Sequence, residues 1–144
     1  MAVDRQIIRQ RIGFIEHNLE LLEQLSERSL EEFIYDAIAV EAAKHLLQTS
    51  IEAMIDICSH LVARMRLPMP EYSAGLVDTL VEAGLFPADH AETYKDMIRF
   101  RNFLVHMYVK TSDQEIYEIL QNALNDFRMF IADAWNAANT NPQS

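Results

Sequence analysis

From Leu30 to Arg66 the chain runs without a glycine or a proline, while Phe33, Ile34, Ala37, Val40, Leu47, Ile51, Met54, Ile55, Leu61, Val62 and Met65 keep a helical rhythm. Spacings of three and four put these side chains on one side of a helix, whereas a strand would need strict alternation. The stretch is too long for an average helix, so it predicts either a bend or one long central helix that everything else packs around. Only 3 glycines and 4 prolines occur in 144 residues, so helix is the expectation for the rest of the chain too.

The flanking segments fit that expectation. Residues 4 to 25 place Ile8, Ile12, Ile15, Leu19, Leu22 and Leu25 at helical spacing with charges between them. In "SERSLEE", Ser29 with Glu32 three residues later has the pattern of a capping box and starts the second helix. Pro68 and Pro70 in "LPMPEY" stop it. A short helix fits from about Tyr72 to Ala83, closed by Gly84, and "GLFPADH" then turns the chain into a segment from about Ala88 to Val105. Ser112 or Asp113 caps a last long helix whose stripe is Ile116, Ile119, Leu120, Ala123, Leu124, Phe127, Ile131 and Trp135. From Asn136 on the chain is polar and expected to fray. The economical architecture is all-α, an antiparallel bundle of four to five helices, with residues 1–138 as one domain and 139–144 as a polar tail.

Composition narrows the function classes. A net charge of -10 disfavours a general nucleic-acid surface, so any contact with RNA or DNA must be confined to a local basic patch. The single cysteine, Cys58, excludes disulfide scaffolds and thiolate zinc clusters within one chain and suits a reducing cytoplasm. The N-terminus lacks the apolar core of a signal peptide, and no window approaches the roughly 20 apolar residues of a membrane span. A cytoplasmic protein is expected.

Against that background "RFRNFLVHMY", residues 99 to 108, sets Arg101, Asn102, His106 and Tyr108 among hydrophobes. On a helix Asn102 and His106 share a face, but Arg101 and His106 lie about 140° apart. Arg101 must therefore reach round on its long stem, or a second copy of the helix must face the first across a dimer axis. A guanidinium forks onto a phosphodiester, and an imidazole with a pKa of about 6.5 can take the proton of a ribose 2′-hydroxyl or return one to the leaving oxygen. Asn102 can orient either group, while Tyr108 can donate a hydrogen bond, stack on a base or carry a modification. Spacing alone favours interhelical hydrogen bonds or solvated charges over a catalytic role.

"RNFLVHMY" resembles the R-x4-6-H-x-Y signature of the HepT toxins, a branch of the HEPN ribonuclease superfamily, and the similarity extends over residues 50 to 120. The resemblance implies a HEPN-like homodimer whose two motifs meet in a cleft and cleave RNA without metal. Arg101 and His106 would then be the catalytic pair, with Asn102 beside them. It also implies a minimal, MntA-like nucleotidyltransferase antitoxin that spends ATP and Mg to AMPylate Tyr108. The toxin itself would need no cofactor. Bulk and negative charge on that hydroxyl would block the cleft and repel RNA. The alternative is a non-catalytic helical module or scaffold for a nucleotidyltransferase, which the acidic charge favours.

Other polar residues have two readings each. Asp56 and His60, with Glu52 one step earlier, either line the same cleft or form an ordinary helix pair. Arg64 and Arg66 either join Lys95, Arg99, Arg101 and Lys110 in a basic patch or complement a helix C-terminus. No metal site is expected. His17, His45 and His90 have no partners nearby in sequence and are expected to be structural or exposed.

Overall fold

The computed structural model describes residues 3–106 and 112–140, with only the backbone described for His106. Among these residues there are seven α-helices and no strand: α1 (Arg5–Ser26), α2 (Leu30–Ile34), α3 (Ala37–Arg64), α4 (Gly75–Glu82), α5 (Ala91–His106), α6 (Asp113–Asn122) and α7 (Leu124–Ala138). A 3-10 turn, Ala88–His90, leads into α5.

Contacts between side chains give the direction of every long helix. Asp4 and Arg11 meet His60 and Asp56, while Asn18 donates to Thr49 and Ser50 at 3.1 and 3.0 Å, so α1 and α3 are antiparallel. Met97 and Phe100 share a groove with Leu47 and Ile51, so α5 packs along α3. Tyr94 meets Asp133 and Phe100 lies level with Phe127, which sets α7 antiparallel to α5. Arg9 stacks on Trp135 and Glu23 pairs with Arg128, closing the ring between α1 and α7. The long helices thus form an up-down-up-down bundle, with Ile15, Leu22, Met54, Ile57, Leu61, Tyr94, Ile98 and Phe130 fully buried between them. Each large apolar side chain removed from water this way contributes about 1.5–3 kcal/mol.

The stretch free of glycine and proline does bend, at Tyr35–Asp36. Ser29 starts α2 with both hydrogen bonds of a capping box, shared with Glu32. Asp36 then caps α3 by accepting from the Ala39 N–H at 3.1 Å, and its other oxygen takes a 2.7 Å hydrogen bond from Arg28. A capped N-terminus inside the run starts a new helix without any breaker residue. At the far end of α3, Arg66 adopts a left-handed φ of 56° and the Leu67 N–H returns to the Val62 carbonyl. Gly84, with φ 76°, supports the same kind of closure after α4.

Two expectations about the C-terminal part need correction. The last long helix is two, separated at Ala123 with no proline or glycine there. Tyr117 and Gln121 donate at 2.6 Å to the carbonyls of Arg28 and Ser26, so α6 folds across the α1–α2 connection and cannot continue along the axis of α7. The expected fraying from Asn136 is also displaced, because Ala137 and Ala138 are buried and α7 stays helical through Ala138.

Candidate active site

Helix α5 enters the bundle through Tyr94 and Ile98, both buried. Arg101 continues their stripe, three residues beyond Ile98 and seven beyond Tyr94. Its side chain is half-buried, and its Nε is buried with no hydrogen-bond partner among the described residues. A buried donor on a permanent cation is costly to leave unmatched, so the group is poised for an anionic acceptor. Asn102 next to it is exposed, as are Phe103 at 49% and Val105 at 40%. The helix persists to His106, so its backbone places that residue one turn beyond Asn102. The His106 side chain, Tyr108 and Lys110 lie outside the described residues.

The antiparallel packing puts this end of α5 beside the N-terminal half of α3. Phe100 shares with Leu47 and Ile51 a groove of about 320 Å³ between α3, α5, α6 and α7. His60 stands on α3 about 20 Å further along, at 1.5 Å per residue. Asp56 faces Arg11 at 3.9 Å, and His60 accepts from the Asp4 N–H at 3.2 Å. Burial first, then the Arg64 charge, holds the His60 imidazolium below its usual range, opposed by Asp4. Asp56, His60, Arg64 and Arg66 therefore do not line a cleft with Arg101 in this chain. They sit at the other end of the bundle, because α3 and α5 run in opposite directions.

The basic patch is likewise altered. Lys95 bonds Asp78 and Glu92, each at 3.0 Å, and these carboxylates hold its ammonium above its ordinary range. Arg99 pairs with Asp96 at 2.9 Å and Glu92 at 3.7 Å. Both cations are already compensated by neighbouring carboxylates. Among the described residues no three His, Cys, Asp or Glu side chains converge as a metal site.

One cluster was not anticipated. Asp133, buried on α7, accepts from Tyr94 and lies 2.6 Å from His90 Nδ1. Burial, then the hydrogen bond to Asp133, pushes the Tyr94 hydroxyl above its usual range, so it stays a neutral donor. The cluster ties the start of the motif helix to α7. Its only trace in the sequence is a carboxylate on the apolar stripe Phe130, Ala134, Ala137.

A family model described as Ribonuclease HepT-like matches residues 15–134. The chain belongs to the HepT-like ribonuclease family. Its similarity to the mRNA nuclease HepT of Shewanella oneidensis is 31% identity over 85 residues, covering 59% of this chain and 64% of that protein. With YutE of Bacillus subtilis the identity is 27% over 128 residues, 87% of this chain and 85% of YutE. The solved structure of the tri-AMPylated S. oneidensis HEPN toxin in complex with MNT antitoxin superposes with a TM-score of 0.81 at 26% identity, over 88% of this chain and 95% of the toxin. The YutE structure superposes at 0.78 with 22% identity, over 92% and 88%, which bears on the fold alone. The all-α antiparallel bundle of this HepT-like chain is thus that of the HEPN toxins. No helix among its described residues is long and apolar enough to cross a membrane.

Proposed function

We propose that this HepT-like chain is the toxin of a toxin-antitoxin pair, a cytoplasmic endoribonuclease that cuts RNA without metal in a cleft between two copies. The observation that carries the reading is the buried Arg101 Nε with no partner among the described residues, next to Asn102, whose helix face the backbone of His106 continues one turn on. A phosphodiester oxygen supplies the acceptor this guanidinium lacks. His106 takes the 2′-hydroxyl proton as the 2′-oxygen bonds to phosphorus. The bond from phosphorus to the 5′-oxygen breaks, and that oxygen leaves with a proton returned by the imidazole of either copy. Asn102 orients the phosphate or the ring. The exposed Phe103 and Val105 on the same helix are the apolar contacts that a second copy would cover.

Regulation follows from Tyr108. A minimal nucleotidyltransferase partner, using ATP and Mg, joins the tyrosine oxygen to the α-phosphorus of ATP. Pyrophosphate leaves and the phenolic proton passes to solvent. The S. oneidensis toxin, seen AMPylated with its antitoxin, supports this reading.

The test is cleavage of RNA in EDTA. His106→Ala should lower the rate about 100- to 10,000-fold with an unchanged circular dichroism spectrum. A variant that cuts as fast as the parent removes the catalytic assignment. A second reading, a non-catalytic scaffold for the nucleotidyltransferase, is favoured by the compensated Lys95 and Arg99. It predicts no cleavage by the parent and tight binding of the partner without modification of Tyr108.

A further inference from the structure

Arg64 and Arg66, carried away from Arg101 by the direction of α3, meet other arginines at the far end of the bundle. His60 accepts from the Asp4 N–H, so the start of α1 lies against the last turns of α3. Arg5 follows Asp4, with Arg9 and Arg11 further along α1. Arg64 stands one turn beyond His60, and Arg66 stays at the helix end because the Leu67 N–H turns back to the Val62 carbonyl. These five arginines, of 12 Lys and Arg in the chain, crowd one end of a molecule whose net charge is -10.

Pairing separates them from the other cations. Arg28, Lys44, Lys95, Arg99 and Arg128 each meet a carboxylate. Arg5, Arg9 and Arg66 are exposed and make no ion pair among the described residues, Arg9 lying over the Trp135 ring instead. Arg11 holds Asp56 only at 3.9 Å, with both side chains more than half exposed, a contact that solvent weakens. Asp4 is turned to its own helix, accepting from the Gln6 and Ile7 N–H groups. The loop that follows, residues 65–74, adds one acid, Glu71, and one bare aromatic ring, Tyr72, at 75% exposure.

Exposed cations without carboxylate partners are neutralised most effectively by an outside polyanion. For a chain of the HepT-like ribonuclease family that polyanion is RNA, whose charge is fixed by its own phosphates. An aromatic face beside arginines also suits a single strand, because every base can stack on it. We infer that Arg5, Arg9 and Arg66, with Tyr72, form a second contact for RNA at the end of the bundle opposite Arg101. The inference rests on the reading of this chain as a ribonuclease. From Leu47, beside Phe100, to Arg64 is about 25 Å along α3, which a strand at about 3.4 Å per nucleotide covers in about eight. Shorter RNA occupies the motif alone, so this contact favours long strands.

The experiment follows the anisotropy of labelled single strands of about 5 and about 20 nucleotides on the full chain, with His106→Ala to stop cleavage. Adding Arg5→Gln with Arg66→Gln should weaken the longer RNA about tenfold and flatten its salt slope by about 1.4, at about 0.7 per phosphate. The shorter RNA should bind as before. Tyr72→Ala should weaken the longer RNA about fivefold or more with its slope unchanged. Arg5→Lys with Arg66→Lys should keep the parent's slope, since charge is what a phosphate contact needs. In the cleaving chain the glutamine pair should raise KM for long RNA and leave kcat. Unchanged affinity and slope in that pair overturn the inference, while cleavage by the parent keeps the ribonuclease reading. An equal loss on the shorter RNA also overturns it, because the pair then acts through the fold or the cleft. Intact RNA binding with lost binding to phosphatidylglycerol vesicles overturns it in favour of a membrane surface. If the parent neither binds nor cuts RNA, the ribonuclease reading fails and this contact with it.

Discussion

Asp36 shows how much one side chain can organise. It starts α3 by accepting from Ala39, and it holds Arg28 across the bend. Its carboxyl is kept below the usual carboxylate range first by the Arg28 hydrogen bond and then by the Ala39 N–H. A group depressed in the folded state stabilises the protein above its unfolded pKa, about 3.9, and that stabilisation is lost as pH falls through the folded value. Asp36→Asn keeps the capping oxygen and removes the charge. Its Tm should be lower than the parent's at neutral pH, with the gap closing as pH falls below the unfolded value of about 3.9. Melts followed by circular dichroism across that range would check this, and a gap indifferent to pH would assign the whole effect to the cap. The Ser29 and Glu32 box was legible in the sequence because its bonds span three residues. Asp36 was not, because its Arg28 partner comes from before the bend.

At the scale of elements, α5 is held at its start by Tyr94, Asp133 and His90. Tyr94→Phe leaves the buried carboxylate with one donor fewer and should cost about 1–3 kcal/mol in urea unfolding. A loss below about 0.5 kcal/mol would mean that His90 alone satisfies Asp133. The helix carrying Arg101 was readable from its periodicity, and so were its neighbours' apolar stripes. The division of α6 from α7 was not. The stripe from Ile116 to Trp135 continues through Ala123, and the turn is set by Tyr117 and Gln121 reaching carbonyls near the end of α1.

For the whole molecule, charge decides how RNA can be approached. The net charge is -10, and Lys95 and Arg99 are spent on neighbouring carboxylates. Binding of a short RNA through two motif arginines, as proposed above, should release few counterions. The slope of log affinity against log salt for single-stranded RNA should then be no steeper than about -2, at about 0.7 per phosphate. Fluorescence anisotropy with the His106→Ala variant measures it without cleavage, and a slope beyond about -4 would reveal a basic surface elsewhere. Helical class, caps and the spacing of Arg101, Asn102 and His106 are properties of contiguous residues, set by hydrogen bonds three or four positions long. They could be read along the chain. The bundle's directions could not, and they place Asp56, His60, Arg64 and Arg66 away from Arg101. Nor could the sequence show that Asp133 is buried, that Lys95 and Arg99 are compensated, or that Arg5 and Arg66 make no ion pair among the described residues. Those outcomes depend on which distant side chains meet when helices pack, a choice that the period of each helix leaves open.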